Sequence, residues 1–143
     1  MTLFRADEQE AVRELFSGLE REIELVLVRG PEETPLPGAR DIDFAGEAER
    51  LVRGLAELGD LVSARVTDDA FPGVDRHPAV VVLADREDTG IRYYGLPWGY
   101  ELASLVGAVV EAGKPESSLS ESSLEVLDAL DRDVAIDVFV TPT

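Results

Sequence analysis

Few side chains in this sequence could carry out acid–base or nucleophilic chemistry. The 143 residues include one histidine, His77, and no cysteine. Thiol nucleophiles, disulfides and cysteine-held metal sites are therefore excluded, and a site built from several imidazoles is impossible. The 30 Asp and Glu residues offer no pair at a convincing spacing for a general acid and a general base. An enzyme would depend on Asp43 and His77, which are an incomplete constellation, so we expect no catalysis, metal or cofactor in this chain.

The charge of the chain limits its partners. Thirteen Lys and Arg against 30 acidic residues give a formal charge of −17. Nucleic acids and anionic membranes are bound through clusters of basic residues, so neither is an expected partner. The chain has no apolar run near the ~18 residues of a membrane span and no basic start of a signal peptide, which favours the cytoplasm. The acidity indicates either a high-salt cytoplasm or a biased genome, and the sequence leaves both open.

Hydrophobic periodicity predicts an alternation of helices and strands in the first half of the chain. The predicted elements are a helix at about 7–19, a strand at 22–28, a long loop at 29–41 and a helix that Gly59 ends. Asp41 or Asp43 is the predicted N-cap of this second helix.

The second half of the chain continues this pattern. It predicts strands at 61–67, 79–84 and 91–94, a charged turn at 85–90, a helix closed by Gly113, a short helix around Leu124 to Leu130 and a final strand at Val134–Val140. This order predicts a mixed central sheet with helices on both faces, which is a thioredoxin-like α/β fold.

Three segments match one family in order and spacing. They are Val-Asp-Arg-His-Pro-Ala at 74–79, Gly-Ile-Arg-Tyr-Tyr-Gly-Leu-Pro-Trp-Gly-Tyr-Glu-Leu at 90–102 and Val-Phe-Val-Thr-Pro-Thr at 138–143. Together they resemble the tandem-thioredoxin protein disulfide oxidoreductases, also called glutaredoxin-like proteins. The resemblance implies that 1–116 form a thioredoxin-like domain. It also implies that 117–143 form a linker helix and the first strand of a second unit, whose C-x-x-C would follow.

The first C-x-x-C of that family falls on Ile42, Asp43, Phe44 and Ala45 in this chain, where both cysteines are absent. Asp43 is better suited to cap the helix than to act as a general acid. Ile42 and Phe44 leave an apolar contact surface at the degenerate redox site. The resemblance therefore implies a domain without redox activity.

The resemblance also assigns Pro78 to the family's cis-proline loop, which faces the redox motif and offers backbone groups to an extended peptide. The alternative is a trans proline that opens a strand. His77 either contacts a bound partner or is a loop histidine without chemistry. A cluster of Tyr93, Tyr94, Trp98 and Tyr100 serves either core packing or partner docking.

Two functions remain for the chain. The first is the structural or binding N-terminal half of a protein disulfide oxidoreductase. The alternative is a stand-alone module that binds a protein or peptide at the cis-proline loop, aided by pairing at a sheet edge. The final strand, at 134–140, would extend the sheet or pair with a neighbouring chain, which would give a homo-oligomer.

Salt should stabilise this protein. A charge of −17 on a small domain produces self-repulsion that dissolved ions screen. We expect the melting temperature, followed by circular dichroism, to rise between low salt and molar KCl. A flat or falling response would show that self-repulsion does not limit stability.

Overall fold

The computed structural model describes residues 4–30 and 42–140. Its four strands form one sheet in the order β2-β1-β3-β4. The strands are β1 (Ile23–Val28), β2 (Val62–Thr67), β3 (Ala79–Ala84) and β4 (Glu87–Tyr94). Strand β1 runs parallel to β2 and antiparallel to β3, and β3 is antiparallel to β4. The predicted mixed sheet is confirmed.

The helices of the described residues lie close to their predicted positions. They are α1 (Ala6–Ser17), α2 (Phe44–Ala56), α3 (Tyr100–Ala112) and α4 (Glu121–Asp128). Asp43, one of the two predicted candidates, is the N-cap of α2, and Asp41 lies outside the described residues. Helix α2 ends before Gly59, with Glu57 as its C-cap, whereas Gly113 is the C-cap of α3 as predicted. None of these helices is long and apolar enough to cross a membrane.

One face of the sheet carries the main hydrophobic core. Residues Ile23, Leu25 and Leu27 of β1 lie opposite Ala84, Val82 and Val80 of β3, so their side chains share a face. Helices α1, α2 and α3 all pack on this face. Their buried contributions are Phe16 from α1, Ala48, Leu51, Val52 and Leu55 from α2, and Leu105, Val106 and Val109 from α3. Each Val or Leu buried here contributes about 1.5–3 kcal/mol of hydrophobic free energy.

The opposite face of the sheet is covered by a loop. Residues Val26, Val28, Val81 and Leu83 pack there with Phe71 and Val74 of the segment between β2 and β3. The expected thioredoxin-like sheet is present, but among the described residues helices cover only one of its faces. The connection between β2 and β3 does not form a helix because its sequence disfavours one, since it contains Pro72, Gly73 and Pro78.

Arg92 holds this covering loop in place from β4. Its guanidinium lies 5.5 Å from the centre of the Phe71 ring and donates to the carbonyl of Pro72 at 3.2 Å. Two further hydrogen bonds, of 2.7 and 2.6 Å, join it to Asp88. These bonds lower the pKa of Asp88 and raise that of Arg92. The loop therefore depends on a charged clamp as well as on two apolar side chains.

The hairpin between β3 and β4 is tighter than predicted. A charged turn was expected at 85–90, but β4 already begins at Glu87. Asp85 and Arg86 alone make the turn, with φ of 48° and 70°. Two consecutive residues of positive φ are typical of the type I′ turn, whose twist matches that of paired strands. The charged residues Glu87 and Asp88 thus belong to the exposed start of a strand.

The predicted strand at 134–140 does not extend the sheet. In the structure, this segment has no strand conformation, and the side chains of Ile136 and Val138 are 82% and 79% exposed. An alternating apolar pattern becomes a strand only where another strand offers hydrogen bonds, and the described part of the chain provides none here. Pairing with a neighbouring chain or a second unit stays a prediction.

Candidate functional site

The candidate site lies at one end of the two central strands. Val28 at the end of β1 pairs with Ala79 at the start of β3. Gly30 follows β1, Pro78 precedes β3, and Asp43 caps the helix that follows β1 in the chain. The sheet pairing therefore places Pro78 beside the end of β1.

Pro78 follows a cis peptide bond from His77, as predicted. The proline is buried, and its carbonyl accepts a hydrogen bond of 2.8 Å from the backbone N–H of Gly95. Gly95 begins the Gly-x-Pro-x-Gly run that leads to α3. This hydrogen bond joins two of the three segments on which the sequence resemblance rests.

His77 lies against the backbone at the end of β1. Gly30 has a φ of +72°, and a Cβ atom added to it would overlap the imidazole ring of His77. The half-buried ring therefore occupies space that only glycine leaves open. Gly30 is not recognisable as a site residue from the sequence, because its Gly-Pro context is explained by the loop alone.

The four positions predicted for the lost motif lie around the start of α2. The Asp43 carboxylate accepts a hydrogen bond of 2.9 Å from Gly46 N–H, so it acts as the helix cap. Ile42 precedes the cap and is 49% exposed, whereas Phe44 and Ala45 are half-buried residues of the first turn. The arrangement provides apolar surface beside a helix N-terminus, and the carboxylate is already engaged by the backbone.

Arg29, which the sequence analysis did not single out, ties the site to its surroundings. Its guanidinium donates two hydrogen bonds to Asp68, of 2.8 and 2.9 Å, and one of 3.4 Å to Glu49. The Asp68 carboxylate raises the pKa of Arg29. This ion pair connects the end of β1 with the end of β2 and with α2, a long-range contact that sequence spacing does not reveal.

The aromatic cluster divides between the core and the surface. Tyr93 packs against the main core, and its hydroxyl is 2.9 Å from the Ser104 hydroxyl. Trp98 and Tyr100 are 44% and 87% exposed, and Tyr94 is also exposed. Core packing thus explains Tyr93. Tyr94 donates a hydrogen bond of 3.4 Å to the Gly73 carbonyl of the covering loop, whereas Trp98 and Tyr100 leave exposed aromatic side chains at the start of α3. In residues 4–30 and 42–140, no group of three or more acidic or histidine side chains could hold a metal ion.

Fold and site together define a cysteine-free protein of thioredoxin-like fold. The structure is similar to the NTD_N/C domain of alkyl hydroperoxide reductase AhpF from Enterococcus faecalis, with a TM-score of 0.75 and 23% identity over 90% of this chain and 62% of that one. A protein disulfide oxidoreductase from Aeropyrum pernix aligns with a TM-score of 0.69 and 19% identity, over 88% of this chain and 55% of its own. The predicted resemblance to disulfide oxidoreductases is confirmed at the level of the fold.

The amino-acid sequence is also similar to that of alkyl hydroperoxide reductase AhpF, a relative that the sequence analysis did not name. The Staphylococcus epidermidis protein is 25% identical over 141 residues, which cover 99% of this chain and 25% of the relative. The Escherichia coli protein is 30% identical over 95 residues, or 66% of this chain and 18% of its own length. The chain thus spans about a quarter of the length of the first of these relatives. No family model matches the sequence.

Two glycine substitutions should have opposite effects on stability. Gly30→Ala places a Cβ atom against His77 at a positive φ, which should destabilise the fold by about 1–2 kcal/mol or more. Gly107→Ala is the control, because Gly107 lies within α3 and its added Cβ would meet nothing within 4 Å. That change should stabilise the protein by about 0.5–1 kcal/mol. Urea unfolding measures both, and equal midpoints would contradict the close packing of His77.

Two introduced cysteines test the predicted position of the redox motif. In the variant Ile42→Cys/Ala45→Cys, we expect an intramolecular disulfide and weak reductase activity toward a small disulfide substrate. The helix N-terminus should lower the pKa of the first thiol below the ~8.5 of free cysteine. Thiol titration and an insulin-reduction assay measure these properties, and the wild type provides the inactive baseline.

A second double variant provides the matched control for this experiment. Arg50→Cys/Arg53→Cys has the same spacing in α2, away from its N-terminus, so its thiols should titrate near ~8.5. If Ile42→Cys/Ala45→Cys titrates like this control, or stays reduced under mild oxidant, the lost motif does not lie at 42–45.

Proposed function

We propose that this chain is the redox-inactive N-terminal thioredoxin-like unit of a longer protein related to alkyl hydroperoxide reductase AhpF and the protein disulfide oxidoreductases. One observation carries the proposal: an alignment that takes in 99% of this chain accounts for only 25% of the relative. Residues 1–116 form the unit in this proposal. Residues 117–143 supply the linker helix and the first strand of a second unit.

The chemistry of the complete protein belongs to the second unit in this proposal. The present chain has no cysteine, and the Asp43 carboxylate at the lost motif is engaged as a helix cap. Thiol–disulfide exchange requires a thiolate, which none of these 143 residues provides. The contribution of this unit is therefore structural or binding, through the Pro78 loop and the surface around Ile42.

The C-terminal segment supports a contact with a further unit. Helix α4 buries none of its residues, although several large apolar side chains lie on it and after it. The exposed apolar residues are Leu119, Leu124, Val126, Leu127, Leu130, Val134, Ile136, Val138, Phe139 and Val140. A concentration of exposed apolar side chains in one segment is typical of a protein–protein contact. A second unit that paired with 134–140 and covered α4 would bury it.

The proposal predicts the sequence that follows the codon for Thr143. We expect an open reading frame with a C-x-x-C motif shortly after it, and reductase activity of the complete protein that disappears when those cysteines become serine. Genomic sequencing and an insulin-reduction assay measure both. A stop codon, or a long frame without C-x-x-C, would contradict the proposal and favour the stand-alone binding module, for which the exposed Trp98 and Tyr100 offer a docking surface.

A further inference from the structure

The connection between α3 and α4 is held by more hydrogen bonds than an exposed linker requires. At its start, the carbonyl of Gly113 accepts backbone hydrogen bonds of 2.9 Å from Glu20 and 3.2 Å from Arg21. At its end, the Ser120 hydroxyl caps α4 by accepting a hydrogen bond of 3.2 Å from Ser123 N–H. Both ends of the linker therefore have a fixed backbone conformation.

Hydrogen bonds among three side chains connect the middle of this linker to the end of α3. The Glu111 carboxylate accepts hydrogen bonds from the Ser118 backbone N–H at 2.9 Å and from the Ser118 hydroxyl at 2.8 Å. The Lys114 ammonium donates to the same carboxylate at 2.8 Å and to the Ser118 hydroxyl at 2.6 Å. Glu111 lies in the last turn of α3, so the cluster brings the start of α4 back toward the end of α3.

The cluster differs from an ordinary surface ion pair. An exposed pair of charges contributes little, because two flexible side chains must be ordered for one screened attraction. Here one carboxylate accepts three hydrogen bonds, and one of them comes from the backbone seven residues ahead. Lys114 and Ser118 lower the pKa of Glu111 to about 2, so the carboxylate stays charged at any ordinary pH.

We propose that Glu111, Lys114 and Ser118 form a latch that fixes the direction in which α4 leaves the domain. The latch matters because α4 buries no residue of its own, so within the described part of the chain no buried side chain of α4 orients it. Holding the apolar segment 119–140 in one direction reduces the entropy that its partner must overcome on docking. The identity of that partner, a second unit of the same protein, rests on the proposed function, whereas the latch itself does not.

Spin labels can test the latch in the chain as it exists. The sequence has no cysteine, so Glu10→Cys on α1 and Glu125→Cys on α4 give two specific labelling sites. Pulsed electron paramagnetic resonance then measures the distribution of distances between the labels. We expect a narrow distribution in the otherwise wild-type chain and a much broader one after Glu111→Gln. The connection 113–120 has eight residues, and a freed linker of this length samples a span on the order of 16 Å.

Two further variants make the result specific. Lys114→Met should also broaden the distribution, because it removes the ammonium while keeping most of the length of the side chain. Glu116→Gln removes a carboxylate from the same linker outside the cluster and should leave the distribution narrow. Circular dichroism would confirm that every variant keeps its helices.

A broad wild-type distribution, an unchanged Glu111→Gln variant, or equal broadening by Glu116→Gln would each overturn the latch. None of these results bears on the reading frame after Thr143, so the latch and the proposed function can fail separately.

Discussion

The need to cover two apolar strands on both faces determines most of this structure. Strands β1 and β3 lie in the middle of the sheet, and Leu25 to Val28 and Ala79 to Val82 are completely buried. Three helices satisfy this need on one face, and the loop between β2 and β3 satisfies it on the other. The ends of the same two strands place Gly30 beside His77, so the burial of the strands also positions the candidate site.

The sequence predicted the elements that local patterns control. Period-3.6 apolar spacing located the helices, and the run 79–84 was recognisable as a buried strand. Predictions failed where the outcome depends on distant partners. The 134–140 segment has the alternation of a strand, but no other strand in the described residues pairs with it. The turn signals at 68–78 did not indicate that this loop covers one face of the sheet, where Arg92 and Phe71 hold it.

The site was predictable in part for the same reason. Asp43 could be identified as a cap from its position before an apolar helix, and Pro78 from the resemblance of its surroundings. The close approach of Gly30 to His77 and the ion pair from Arg29 to Asp68 join residues that lie about forty or more positions apart. Contacts of this kind leave no periodic trace in one sequence, because they depend on strand pairing in space.

Lys114 is the only lysine of the chain, since the other twelve basic residues are arginines. Arginine keeps its charge and does not react with acylating agents at neutral pH. Acetylation of a side-chain amine would therefore have a single target, Lys114, which lies in the connection between α3 and α4. Such a modification would remove a positive charge and replace the three N–H donors of the ammonium with the single N–H of an amide, at the contact with Glu111 and Ser118. Because the chain has a single lysine, its one side-chain amine lies at the junction between α3 and α4.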